Sequence, residues 1–144
     1  MKTIVLSPQK SIENETDIVV RLFELGLTSF HLRKPHYTKQ KMRSYLEKIP
    51  SVYHNRIIIH SHHRLAKKYN LKGIHLSSKN RKSSFKNWLN IKSLKRKKPF
   101  LRVSTSFTSI SELNTYNDLY DYVFLSPIFD STSKKNYQSG FKEY

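Results

Sequence analysis

The chain contains no cysteine among its 144 residues. That excludes disulfides and every thiolate site, whether zinc ribbon, iron–sulfur cluster or cysteine nucleophile. Glycine is almost as scarce. Gly26, Gly73 and Gly140 are the three, none within four residues of another, so the glycine-rich phosphate loops of the P-loop and dinucleotide-binding types are excluded. Long apolar runs are also missing. The N-terminal run Thr3–Leu6 is far shorter than a secretory core, and no stretch approaches the roughly 18 apolar residues of a membrane span. These absences lead us to expect a cytoplasmic chain with no membrane partner.

Carboxylates are the fourth scarcity. Ten Asp and Glu stand against 27 Lys and Arg, a formal net charge of +17. Between Glu47 and Glu112 there is no carboxylate at all, whereas 16 of the 27 basic residues lie there. Such a stretch attracts polyanions: nucleic acid, an anionic surface, or a di- or polyphosphate substrate. A general drift of composition towards Lys and Asn would produce the same charge without a partner. Either way, this region cannot build a carboxylate cage for magnesium or calcium.

What is present is alternation. Short apolar segments at Thr3–Ser7, Ser29–Arg33, Arg56–His60, Gly73–Ser77, Phe100–Ser104 and Tyr122–Ser126 read as strands. Between them the apolar residues recur with helical period. Ile18, Val19, Leu22, Phe23 and Leu25 form one stripe, stopped by Gly26. Thr38 is placed to N-cap a helix carrying Met42, Tyr45, Leu46 and Ile49, which Pro50 ends. Leu65, Ala66 and Tyr69 suggest a third helix, and Phe85, Trp88 and Leu89, with Leu94, a fourth. Ser109 and Glu112 have capping-box spacing ahead of a fifth. A β-α repeat of this kind gives a parallel sheet, open or closed into a barrel. An eight-unit barrel takes at least about 200 residues, and this chain offers six units.

In parallel α/β folds ligands bind at the carboxyl ends of strands. Strand two ends His31-Leu32-Arg33-Lys34, with His31 and Arg33 on one side, and an arginine there suits bidentate phosphate binding. Strand three ends His60-Ser61-His62, with His75 in the neighbouring strand. His60, His62 and His75 could ligate zinc, but His-x-His is a loose pattern and separate histidines bonded to solvent or backbone are the favoured reading, so no metal ligand is assigned. Ser104 to Ser109 reads as a hydroxyl-rich strand-to-helix turn, and Ser131, Ser133 and Lys134 as a second anion loop. No Ser/His/Asp order forms a triad, and no pair of carboxylates suits acid–base work.

The string Asp121-Tyr122-Val123-Phe124-Leu125-Ser126-Pro127-Ile128-Phe129, followed by Ser131, Ser133 and Lys134, resembles a hallmark of the thiamine-phosphate synthase family, which includes the thiazole tautomerases. Gly73-Ile74-His75-Leu76 is similar to that family's Gly-Val-His-Leu strand, His31-Leu32-Arg33 to its Gln-Leu-Arg, and Ser106 to Glu112 to its Ser-x-His-Ser-x-Glu-Glu turn. Ile57 to Ala66 stands where the family has Asn-Asp-Arg before Leu-Ala.

The resemblance implies an α/β fold of the (β/α)8 TIM-barrel type, truncated after about six units, with residues 1–144 as a single barrel domain incomplete at its C-terminus. It implies a transferase of thiamine biosynthesis that joins a pyrimidine methyl diphosphate to a thiazole phosphate and releases diphosphate. Arg33 and Lys134 would then be catalytic. The substrate-binding set would be His31, Arg33, Lys34, His60, Ser106, Ser131, Ser133 and Lys134. Mg2+ would be the cofactor, but the family's two magnesium-binding aspartates fall at Ser61 and Asn80, its asparagine at His60, and the lysine of its Gln-x-Arg-x-Lys at Pro35. The tautomerase histidine falls at Thr108. Arg64, Lys79, Arg81 and Lys82 are candidates to offset the lost metal charge.

Two other readings remain. One is a non-catalytic remnant or a binder of phosphorylated thiazole. The other, less favoured, is a basic nucleic-acid-binding module around Lys79–Lys98, where Phe85 and Trp88 fit a buried helix face better than a stacking platform. An incomplete barrel would expose apolar edges on strands one and six, leaving the chain marginal alone or paired with a second copy.

Overall fold

Six short strands lie side by side, all parallel, in the order in which the chain supplies them. The computed structural model describes residues 2–82, 85–114 and 118–126. The strands are β1 (Val5–Leu6), β2 (Phe30–Leu32), β3 (Ile57–Ile59), β4 (Gly73–Leu76), β5 (Arg102–Phe107) and β6 (Tyr122–Leu125). Between them run α1 (Glu15–Glu24), α2 (Lys39–Glu47), two 3-10 turns (Ser51–Arg56 and His63–Lys67), α3 (Ser78–Lys82), α4 (Phe85–Lys97) and α5 (Ile110–Leu113).

The sheet is curled. Neighbouring strands are about 4.8 Å apart, so a flat sheet would separate β2 from β6 by about 19 Å. Instead His31 of β2 meets the Tyr122 hydroxyl of β6 at 2.8 Å, and its ring lies 5.1 Å from that of Phe124. The α/β architecture is thus a half-barrel of six parallel strands, and the curl divides the side chains by period. Outward go Phe30, Leu32, Ile57, Ile59, Ile74, Leu76, Val103 and Phe107, which join the helices in one hydrophobic core. Inward go His31, His75, Ser104, Ser106 and Tyr122, which bond to one another.

The local chemistry explains the boundaries. Thr38 caps α2, its hydroxyl accepting from Lys41 N–H at 3.2 Å, and Met42, Tyr45, Leu46 and Ile49 are all buried. Gly26, at φ +97°, closes α1: its N–H reaches the Phe23 carbonyl, and Leu27 N–H reaches that of Leu22. Gly73 has no room for a side chain, because a Cβ there would press on the Arg102 carbonyl of the adjoining strand.

Several expectations change. Of the α1 stripe, Val19 and Phe23 are buried as expected, but Ile18 and Leu25 are exposed. The third helix is a 3-10 turn, although Leu65, Ala66 and Tyr69 are buried as expected. In α4 the core contacts are Ile91 and Leu94. Trp88 is 39 % exposed, with the Lys92 ammonium 3.9 Å from its ring centre, so it does not sit on the buried face. β5 runs on to Phe107, because the hydroxyls that read as a turn each find a partner within the sheet: Ser104 and Ser106 on His75, Thr105 on the Leu76 carbonyl. Among the described residues no helix is long and apolar enough to cross a membrane.

Candidate functional site

The carboxyl ends of the strands surround a cavity of about 420 Å3. Each strand contributes where its ladder stops: Leu6 from β1, Arg33 after β2, His60 after β3, Ser77 after β4, Ser106 from β5 and Ser126 after β6. No carboxylate lines it among the described residues. The wall is one guanidinium, two imidazoles, hydroxyls and a few apolar groups.

Arg33 is fixed by its backbone and free at its tip. Its N–H donates to Ser7 Oγ at 2.8 Å, and Ser7 returns a bond to its carbonyl at 3.3 Å, so the β2 end is pinned to the β1 end. The side chain is exposed to the cavity and enters none of the ion pairs among the described residues. A charged fork on a held backbone, facing a cavity without acids, is suited to an incoming phosphate.

Lys34 faces the other way. Its side chain is 0 % exposed, and Nζ donates to the carbonyls of Pro8 (2.8 Å) and Lys10 (2.7 Å) and to Glu15 Oε2 (2.6 Å). An ammonium has three protons and all three are used. Glu15 is completed by the Tyr45 hydroxyl, which donates to Oε1 at 3.2 Å. Lys34 therefore anchors the loop after β1 rather than facing the cavity.

Beneath the mouth lies a chain of imidazoles and hydroxyls. His31 Nδ1 pairs with His60 Nε2 at 2.8 Å, and His31 Nε2 with the Tyr122 hydroxyl at 2.8 Å. His75 pairs through Nδ1 with Ser104 (2.9 Å) and through Nε2 with Ser106 (3.1 Å), and its ring stacks on His60 at 4.1 Å. All three rings are held neutral at pH 7. Burial is the largest cause throughout, pushing His31 down to about 4, His60 to about 2 and His75 to about 3. Mutual repulsion and the nearby Arg33 charge add to the effect on His60 and His75. His31 is fully buried under His60, so it props that ring rather than lining the cavity.

The trio assembled by folding is not the one the strand pattern suggested. β3 ends at Ile59, and His62 has φ +53°, which breaks the alternation and turns its ring to the Tyr37 carbonyl at 2.6 Å. His31 takes its place beside His60 and His75. Sequence reasoning missed the inward role of Tyr122 and Ser104; the signal was the period of two along β5 and β6.

Ser61 and Asn80 do not line the cavity, and neither brings a carboxylate. The Ser61 hydroxyl is buried with no hydrogen-bond partner among the described residues. Magnesium asks for oxygen ligands in near-octahedral array, carboxylates first. The described residues do not fit it. Of the cations considered as substitutes, Arg81 is committed to Glu112 (2.8 Å) and the Ser106 carbonyl (2.6 Å) and stacks on Phe107. Arg64 opens on a different cleft, between the 3-10 turn His63–Lys67 and α4. Lys79 is exposed on α3 and does not line the cavity. The expected residues Ser131, Ser133 and Lys134 lie outside the described residues.

A parallel sheet curling towards a barrel, with a cationic cavity over its carboxyl edge, is the layout in which barrel enzymes hold phosphorylated substrates. The chain belongs to the thiamine monophosphate synthase family, whose model matches residues 3–141. It is similar to the solved structure of a thiamine phosphate pyrophosphorylase from Bacteroides thetaiotaomicron: 35 % identity, TM-score 0.70, covering 90 % of this chain and 59 % of that one. A thiamine phosphate pyrophosphorylase from Pyrococcus furiosus shares the fold at 18 % identity, with TM-score 0.64 over 90 % of this chain and 61 % of that one. The chain thus spans about three-fifths of the length of these relatives. No curated protein sequence matches it significantly.

Proposed function

We propose that residues 1–144 form one barrel-type domain carrying the diphosphate side of a thiamine-phosphate synthase site. The reaction would join a pyrimidine methyl diphosphate to a thiazole phosphate and release diphosphate. The carrying observation is Arg33: backbone clamped by Ser7, guanidinium in none of the ion pairs among the described residues, in a cavity that no described carboxylate lines.

The chemistry asks little of the protein beyond charge and placement. The carbon–oxygen bond to diphosphate breaks with its electron pair on the leaving oxygen, and the thiazole nitrogen forms the new bond to the pyrimidine methylene carbon. Arg33 would take up the charge growing on the departing diphosphate, where a fixed cation is worth more than in water. The Ser106 and Ser77 hydroxyls can donate to the remaining oxygens, whereas the Thr108 hydroxyl already donates to Glu112. His60, uncharged and partly buried, can contact the pyrimidine, with His31 setting its orientation. Lys134, Ser131 and Ser133 are assigned to the thiazole phosphate by resemblance to the family. Both partners are small phosphorylated heterocycles, and such a biosynthetic step belongs in the cytoplasm.

Inorganic diphosphate binding, read by calorimetry, tests the proposal even if turnover is slow. Losing a charge-assisted bond costs about 1.5–3 kcal/mol, so Arg33→Ala should weaken binding about ten- to hundredfold, with Arg33→Lys recovering part. Supplying both heterocycles and measuring diphosphate release then separates an enzyme from a binder without turnover. Undiminished diphosphate affinity in Arg33→Ala would defeat the reading.

A further inference from the structure

We propose that His31, His60 and His75 form a trihistidine site for a divalent transition-metal ion of the zinc type, beneath the cavity mouth. Three adjacent strands supply the rings, and one nitrogen of each lies within 4.8 Å of one nitrogen of each of the others. Tetrahedral coordination at about 2.0–2.1 Å separates ligand nitrogens by about 3.3 Å. The His31 Nδ1–His60 Nε2 pair stands at 2.8 Å, so the rings must turn to open that pair and to draw any wider pair inward.

Three further observations point the same way. His31 Nε2 is already held by the Tyr122 hydroxyl, an outer partner of the kind that orients metal-binding imidazoles, while His75 is bonded at Nδ1 to Ser104 and at Nε2 to Ser106, so one of those two bonds gives way to the ion. Imidazole nitrogens select zinc, cobalt, nickel or copper and offer little to magnesium. His60 and His75 line the cavity, so the fourth position opens towards solvent and Arg33, where a water or a phosphate oxygen can enter. Three protein ligands with one open position mark a reactive rather than a structural site. The hydrogen shared between His31 and His60 must leave their contact when the ion enters. A change of tautomer at whichever of the two rings donates it achieves this, the hydrogen passing to that ring's other nitrogen.

The test uses the full chain, stripped with chelator and free of substrate, titrated with Co2+ and followed by visible absorption, then displaced with Zn2+. One ion per chain, retained in excess Mg2+, is expected. His60→Gln and His75→Gln should each weaken binding by about tenfold or more, with far-ultraviolet dichroism confirming the fold, and His36→Gln should not. In the unaltered chain, Zn2+ should shift the imidazole nitrogen resonances of His31, His60 and His75, which needs no variant to fold. Absence of stoichiometric binding, displacement by Mg2+, affinity in both variants undiminished from the unaltered chain, or shifts at other histidines would overturn the site. None of these outcomes touches diphosphate binding at Arg33, which is measured without metal.

Discussion

Arg33 and Lys34 are adjacent cations with opposite duties, and the difference lies in what each meets. Lys34 gives up bulk water and receives two carbonyls and a carboxylate in return. Removing one partner of a buried pair typically costs about 3–5 kcal/mol. We therefore expect Lys34→Met to lower the urea midpoint strongly, with the double variant Lys34→Met/Glu15→Leu recovering part of the loss. Arg33→Ala should leave the midpoint nearly unchanged while diphosphate affinity falls. If Lys34→Met kept its stability and lost diphosphate binding, its place would be in the substrate site. Arg-Lys at a strand end was legible as a cationic site in the sequence. Which of the two faced the cavity was not, since the carbonyls of Pro8 and Lys10 that capture Lys34 lie 24–26 residues away.

At the scale of elements, Asp121 ties β6 to what precedes it. Its carboxylate accepts from Val103 N–H at 2.7 Å, Arg102 at 3.0 Å and Lys95 at 3.3 Å, joining the starts of β5 and β6 to the end of α4. Burial alone would raise its pKa, but these donors together hold it below the usual carboxylate value. A carboxylate with a lowered folded-state pKa contributes stability above its unfolded value of about 3.9, and that stability is lost as pH falls through the folded value. Asp121→Asn should therefore cost on the order of 1–2 kcal/mol at pH 7. The gap from the unaltered chain should narrow as the pH falls below about 3.9 and through the lower folded-state value, as denaturant midpoints across that range would show. A gap independent of pH would assign the loss to packing instead. The strands and the α2 cap were readable because Thr38 and the apolar period act within a few residues. The extent of β5 was not, because Ser104, Thr105 and Ser106 become strand residues only once β4 offers His75 and the Leu76 carbonyl.

For the whole molecule the governing quantity is charge. At +17, with 16 cations and no carboxylate between Glu47 and Glu112, the folded chain repels itself. Raising salt from about 0.01 to 0.3 M shortens the Debye length from about 30 Å to under 10 Å. The melting temperature should rise over that range, and diphosphate affinity should fall as the cavity field is screened. A flat or falling melting curve would mean that ion pairs such as Arg81–Glu112 outweigh the repulsion.

By itself the sequence determined the alternation of strand and helix, the parallel order, the caps, and the family. Each of these rests on interactions between near neighbours or on the period of one element. The tertiary structure alone decided the curl that brings His31 to Tyr122, the replacement of His62 by His31 beside His60 and His75, and the burial of Lys34. Those depend on contacts across 19 to 91 residues of chain, whose energies exist only after the sheet has closed on itself.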